Sequence, residues 1–376
     1  MKLNVSQQQF AHGLGIVSRA VSSRSTLPVL SNILIATDQG RLRLSATNLE
    51  LGITTWTGAQ VEDEGSTTVP ARTIVDLITA LPNVPVQLTL DTTTQSLNVV
   101  SGTSNTDINC IDAQEFPPIP TPDLTAGIQL SVADFKEGIQ QVGFSASSDE
   151  ARPILTGVLI TMEGNEMTMV ATDGFRISVK KSILSQPAAA TVSITVPARA
   201  LGELARAAVN PEDSITMVLP PSRGQVIFHM KDVEVVSQLI EGNFPDYRAI
   251  IPHTYKTRTV LPTETLLKAC KQAEIIAREG TNVARVSINP TSETQPGTVE
   301  LSATAEQTGS SEIAVDAAID GVPLLIAFNV RYLREVLEII KTANVSLETN
   351  AANTPAMIKM VGDDRFLHVI MPMHLG

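Results

Sequence analysis

Apolar residues along this chain switch between two periods. Phe10, Leu14, Val17 and Val21 stand at i, i+4, i+7 and i+11, the spacing of one helix face. Ser6 and Gln9 precede that face as a capping box. From Asn32 the period drops to two. Segments 32–37, 41–47 and 51–57 alternate apolar and polar positions and read as strands, with Asp38-Gln39-Gly40 as a hairpin turn. A strand at Thr68-Val69-Pro70 then runs into a second helix over 72–81. The passage restarts at Leu130, with Ser131 and Asp134 at a cap and Phe135, Ile139 and Val142 on the apolar stripe. The pair 157–162 and 167–171 repeats the hairpin across Glu163-Gly164-Asn165-Glu166. A third start follows Val260-Leu261-Pro262, with Thr263 and then Leu266, Leu267 and Cys270.

The restarts are copies of one unit. Val69-Pro70-Ala71-Arg72 returns as Val196-Pro197-Ala198-Arg199 and fades to Phe328-Asn329-Val330-Arg331, at offsets of 127 and 132. Ala46-Thr47-Asn48 returns as Ala171-Thr172-Asp173 and Ala303-Thr304-Ala305, at 125 and 132. Phe116-Pro117 is echoed by Phe244-Pro245 and Met371-Pro372, at 128 and 127. Such a period is the size of a domain, not of a solenoid repeat. Pro-rich 117–122 and segment 244–252 read as linkers. The expected domains are therefore 1–122, 123–252 and 253–376, each with room for its own core. Each holds two strand-then-helix units, an α+β class with antiparallel sheets and helices on one face.

Charge refines that picture. The net charge is −12, which on its face argues against a polyanion partner. Its distribution is uneven. Helical segments 6–22, 71–81, 131–146, 197–209, 263–278 and 329–343 hold 11 basic and 8 acidic residues. The basic ones are Arg19, Arg72, Lys136, Arg199, Arg206, Lys268, Lys271, Arg278, Arg331, Arg334 and Lys341. The helices carry +3 and the rest of the chain −15. A basic helical face on an acidic body can hold a polyanion there and nowhere else. The single Trp and three Tyr are too few for binding by base stacking.

Candidate chemistry is sparse. Cys110 and Cys270 lie in different repeats and outside any metal pattern, so both read as reduced thiols of a cytoplasmic protein. The start, Met1-Lys2-Leu3-Asn4-Val5-Ser6-Gln7, has no signal-peptide core, and no stretch has membrane-spanning length. His12, His229, His253, His368 and His374 show no metal spacing, and no phosphate-binding glycine fingerprint occurs. Asp173 recurs as Asn48 and Ala305, which suits a turn better than an obligatory acid. No catalytic residue, metal or cofactor is expected. The competing reading is a repeat-built enzyme or ligand-binding module acting on a small molecule in an interdomain cleft.

Four segments in order across the whole chain resemble one family: Thr26–Asn32 as Thr-Leu-Pro-Val-Leu-Ser-Asn, Ala171-Thr172-Asp173-Gly174-Phe175-Arg176, Glu241-Gly242-Asn243-Phe244-Pro245-Asp246-Tyr247-Arg248, and Val369-Ile370-Met371-Pro372-Met373-His374-Leu375. They are similar to the bacterial β sliding clamps, processivity subunits of the replicative DNA polymerase. The resemblance implies three tandem DNA-clamp domains, a head-to-tail homodimer closed into a ring around duplex DNA, and no catalysis. Twelve helices side by side at about 10 Å would make a circle about 120 Å around. A hole of roughly 28 Å would remain inside the helices, enough for a duplex and water.

The family also implies roles for individual residues. Arg24, Arg72, Lys136, Arg199, Arg206, Lys268, Lys271, Arg331 and Arg334 are expected to face the DNA, weakly enough for sliding. Polymerase subunits and the clamp loader are expected to bind by short linear peptides. Their pocket would comprise Leu155, Thr172, Gly174, Phe175, Arg176, Ile177, Pro245, Ile250, Val369, Met371, Pro372, Met373 and Leu375, an apolar slot with adaptable methionines. Phe175 stands where members often have His, and Ala249 and His374 where they often have Arg. The dimer joint is expected at Thr106 and Ile108 on one side and Ile275 and Ile276 on the other. Thr106 replaces a common aromatic, which shifts the expected weight toward Ile108.

Overall fold

The computed structural model describes residues 1–22, 27–221, 224–292 and 296–374. The first repeat runs β1 (Lys2–Val5), α1 (Gln7–Val17), β2 (Asn32–Asp38), β3 (Arg41–Thr47), β4 (Leu51–Asp63), β5 (Ser66–Pro70), α2 (Ala71–Ala80), β6 (Val86–Asp91), β7 (Ser96–Ser101) and β8 (Ser104–Asn109). The second runs β9 (Ile128–Ser131), α3 (Val132–Val142), β10 (Gly157–Glu163), β11 (Glu166–Thr172), β12 (Arg176–Ile183), β13 (Val192–Pro197), α4 (Ala198–Ala207), β14 (Ser214–Val218), β15 (Gln225–His229) and β16 (Val233–Gln238). The third runs β17 (Thr257–Pro262), α5 (Thr263–Ala277), β18 (Val283–Asn289), β19 (Thr298–Ala305), β20 (Gly309–Asp316), β21 (Ala318–Gly321), β22 (Leu324–Asn329), α6 (Val330–Ile339), β23 (Asn344–Thr349), β24 (Ala356–Met360) and β25 (Asp363–Ile370). Each half-repeat is thus a strand, a helix and three more strands, with β20 and β21 together standing for β4.

Local chemistry explains these elements. Phe10, Leu14 and Val17 on α1 are fully buried, as the helical period demands. Val21 lies past the helix end. Gly13 faces the sheet so closely that a Cβ there would meet the Leu44 side chain at 2.9 Å. Its counterpart Gly138 on α3 would meet Met169 at 2.8 Å. The β2–β3 turn places Gln39 and Gly40 at positive φ between the paired Asp38 and Arg41, a two-residue turn that suits the strand twist. One expectation fails: Ser6 makes no side-chain capping bond.

All strand pairings are antiparallel, and they cross repeat boundaries. Strand β16 closes on β4, with Val235 opposite Ile53. Strand β25 closes on β12, with His368 opposite Ser178. The last strand of each later repeat therefore adds to the fourth strand of the repeat before it. By its internal contacts the chain groups into two compact units: Met1–Ala133 with Arg199–Leu239, and Asp134–Ala198 with Ile240–Gly376. In the first unit, a twelve-stranded sheet runs β8-β7-β6-β1-β4-β16-β15-β14-β9, with β3, β2 and β5 branching from β4. In the second, a nine-stranded sheet runs β13-β10-β11-β12-β25-β24-β23-β17-β21 beside a four-stranded one, β20-β19-β18-β22. The third repeat has a core of its own, from Leu266 and Cys270 on α5 through Val286 and Leu301 to Leu333 and Leu337 on α6. The middle repeat is divided between the units because its halves are hydrogen-bonded into different sheets.

Candidate partner-binding cleft and helix face

A hydrogen-bonded turn between β11 and β12 builds the cleft. Thr172 Oγ1 donates to the Arg176 carbonyl at 2.7 Å and accepts from the Gly174 amide at 3.1 Å. Asp173 Oδ1 accepts from the amides of Phe175 and Arg176 at 2.9 and 3.1 Å. Both are standard uses of short polar side chains in turns. Gly174 has φ +94°, where a side chain would be strained. The turn pushes Phe175 outward, 55% exposed. The Met371 amide then donates to the Phe175 carbonyl at 2.9 Å, extending the β12–β25 ladder and bringing an exposed Met beside an exposed Phe.

Arg176 forms the floor and is buried. Its Nε pairs with Asp173 at 3.0 Å and its Nη1 with Glu335 on α6 at 2.5 Å. Its Nη2 donates to the Phe144 carbonyl at 2.8 Å. The guanidinium lies over the Tyr332 ring, 4.1 Å from its centroid. A buried charge is tolerable when paired and hydrogen-bonded in this way. Burial alone would raise the Glu335 carboxyl, but hydrogen bonds from Arg331 and Arg176 outweigh it and hold the group below its ordinary range. Behind the floor, His368 is fully buried, its Nδ1 2.8 Å from Ser178 Oγ and its ring stacked on Phe144. Burial, then the nearby Arg176 charge, push its pKa down to about 3.

The cleft holds about 210 Å³ and is lined by Leu155, Thr172, Gly174, Phe175, Arg176, Ile177, Pro245, Ile250, Val369 and Met371. Tyr247 also lines it and was missed by sequence reasoning. It stands inside the Glu241–Arg248 motif, and its 7% exposure comes from packing against Val170, Ile177 and Val369, a tertiary contact with no sequence period. Pro372 and Met373 are not in the lining. The Met373 amide donates to the Ala327 carbonyl at 2.8 Å, which ties the tail to β22 instead. Leu375 lies outside the described residues.

The basic helix residues fall into classes. Arg199 is exposed and has no ion pair among the described residues. Arg72 is 96% exposed beside Asp76 at 3.8 Å, and Lys268 is paired with Glu264 at 2.7 Å. Arg206 shares Glu203 with Arg19, at 2.6 and 3.3 Å. Lys271 reaches Glu338 at 3.2 Å, and Arg331 reaches Glu335 at 2.8 Å. Arg334 is different: its side chain is 24% exposed, 2.6 Å from Glu274 and 2.9 Å from Glu338. It bolts α5 to α6 and is poorly placed to meet a ligand. Lys136 is on α3. Arg24 lies outside the described residues. Most of the positive charge on these helices is therefore held in local ion pairs.

Three family models match the chain in tandem: DNA polymerase III beta subunit, N-terminal domain over residues 1–120, central domain over 129–246 and C-terminal domain over 248–374. The chain is 34% identical to the beta sliding clamp of Synechococcus elongatus over 378 residues, covering all of both proteins. The chain belongs to the bacterial β sliding clamp family. The DNA polymerase sliding clamp of Bacillus subtilis superposes over the full length of both chains with a TM-score of 0.93 at 27% identity. The Pseudomonas aeruginosa clamp solved bound to griselimycin does so with a TM-score of 0.91 at 26% identity. Sliding clamps are non-catalytic processivity factors, and the small-molecule enzyme reading is set aside on that ground.

For a clamp, the sheet edges matter. Thr106 and Ile108 lie on β8, the end strand of the twelve-stranded sheet. Thr106 is partly buried, and Ile108 is only 4% exposed. Ile108 is therefore packed inward in the single chain. On the other side, Ile275 is 56% exposed, while Ile276 packs against the third-repeat core. Of these two neighbours on α5, Ile275 is the one presented to solvent.

Proposed function

We propose that this clamp closes head to tail with a second copy into a ring around duplex DNA, and that it tethers polymerase subunits and the clamp loader through short linear peptides. One observation carries the ring. β16 adds to β4, and β25 adds to β12. By the same rule β8 should add to a strand equivalent to β4, and the equivalent in the third repeat is β20. Both β8 and β20 end their sheets, so the missing pairing is available to another copy. Two copies would pair both of these edges, once at each joint, and so close the assembly. The family domains are proposed to divide at 1–122, 123–252 and 253–376.

The duplex would lie against the helices. Exposed ion pairs are worth little, with a median near 0–1 kcal/mol, so Arg72, Lys268, Arg206 and Lys271 can exchange their carboxylates for phosphates at small cost. Contacts of that strength reach the backbone without reading bases, which suits sliding. The cleft around Phe175, Tyr247 and Met371 would take the apolar side chains of partner peptides. Its adaptable Met and fixed Arg176 floor fit several related sequences. Among the described residues no helix is long and apolar enough to cross a membrane, and a cytoplasmic, nucleoid-associated location follows from the proposed role.

Retention on DNA tests the topology. Loaded on nicked circular DNA, the protein is expected to stay through gel filtration and to be lost when the circle is cut once. Equal retention on the circular and linear forms would show contact binding and defeat the ring.

A further inference from the structure

We propose that the first repeat carries a second peptide-docking cleft, made by the same turn as the Phe175 cleft but selecting a peptide with basic side chains between apolar ones. It rests on the internal repeat and not on occupancy of the Phe175 cleft. The turn between β3 and β4 reproduces the other bond for bond. Thr47 Oγ1 donates to the Leu51 carbonyl at 3.1 Å and accepts from the Leu49 amide at 3.0 Å. Asn48 Oδ1 accepts from the amides of Glu50 and Leu51 at 3.1 and 2.8 Å. The Gln238 amide donates to the Glu50 carbonyl at 2.8 Å, just as Met371 does to Phe175 at 2.9 Å. Val236 lies opposite Gly52 as Val369 lies opposite Ile177. Ile119 of the linker occupies the place of Tyr247. The resulting cleft holds about 240 Å³, close to the 210 Å³ of its counterpart.

The walls differ in chemistry. Glu50 replaces Phe175, Gln238 replaces Met371, and Gly52 replaces Ile177. The Glu50 carboxylate is exposed and has no ion pair among the described residues. Gln225 Oε1, in the same lining, is a buried acceptor with no hydrogen-bond partner among the described residues. A solvent-facing carboxylate beside one buried, unpaired acceptor favours a ligand with cationic donors, which Lys or Arg supplies. The apolar part survives at the lip. Leu49 stands where the counterpart has Gly174, keeps φ +76° and is still 51% exposed. A leucine held in the left-handed region with its side chain outward is strained without being buried. Together with Ile119 and Val236 it offers the apolar surface that the alternate side chains of an extended peptide would cover.

Methyl-labelled full-length protein tests this with two probes, an acetylated hexapeptide alternating Leu and Lys and another alternating Leu and Glu. The Lys peptide is expected to shift the methyl signals of Leu49, Ile119 and Val236, and Glu50→Gln is expected to weaken that binding about tenfold, the scale of one charge-assisted hydrogen bond. The Glu peptide is expected to leave those signals in place. Shifts confined to Ile177, Val369 and Met371, no shifts, or equal shifts from both probes would overturn the second cleft. None of those results bears on the ring. The comparison of the two probes on the unaltered protein decides the matter even if Glu50→Gln misfolds.

Discussion

His368 shows how one residue ties stability to pH. It is fully buried, and its pKa falls to about 3, against about 6.5 in an unfolded chain. Between those values the unfolded state binds a proton that the folded state refuses, so stability is complete above about pH 6.5 and declines as pH falls toward 3. From pH 7 to pH 5 this residue alone is expected to lower the unfolding free energy by about 2 kcal/mol. Urea unfolding at the two pH values measures it, and His368→Asn should lose that increment. An unchanged pH dependence in the variant would mean that another group is responsible. Neither thiol offers comparable chemistry: burial pushes Cys270 up to about 12 and raises Cys110, so neither is a ready nucleophile at neutral pH.

The helices differ in how firmly their arginines are held. Arg199 on α4 and Arg72 on α2 stand clear of the surface, whereas Arg334 is locked between α5 and α6. These elements should therefore respond differently to charge reversal. Arg72→Glu with Arg199→Glu is expected to reduce the salt dependence of DNA retention. The slope of log affinity against log salt should fall by about 2 per chain, or about 1 for each phosphate no longer neutralised, with thermal stability unchanged. Arg334→Glu is expected to lower stability by about 1–2 kcal/mol, between the scales for exposed and fully buried pairs, before any effect on DNA. Salt titration and calorimetry separate the two. If the double reversal left the slope intact, α2 and α4 would not face the duplex.

At the scale of the molecule, the three repeats and the two compact units are one fact seen twice. A repeat whose last strand pairs with its predecessor continues that predecessor's sheet, and a chain of three such repeats keeps an unpaired edge at β8 and another at β20. In the proposed ring the repeat register would put Thr106 of β8 opposite Ser311 of β20 of the second copy, because Val235 faces Ile53 and His368 faces Ser178 at the equivalent places. Thr106→Cys with Ser311→Cys is expected to give, under mild oxidation, a covalent species of twice the chain mass on denaturing gels, its two joints both sealed. Cross-strand neighbours lie close enough for such a bond. A protein that stayed monomeric in micromolar solution and formed no cross-link would rule out the closed pair.

The sequence by itself determined the element order, the three copies, the amphipathic faces and most of the cleft. Those features depend on local period and on short motifs such as Thr172–Arg176, whose turn is specified by its own side chains. It could not show that Tyr247 lines the cleft, that Ile108 is core, that Met373 is tied to β22 or that Arg334 is a bolt. Each of these depends on which distant strand or helix packs alongside, and neither charge nor hydropathy marks a partner's identity. Only the tertiary structure revealed that the sheets run through the repeat boundaries. Backbone hydrogen bonds between strands are the same whatever side chains flank them, so the pairing of β16 with β4 and β25 with β12 leaves no signature in the chain.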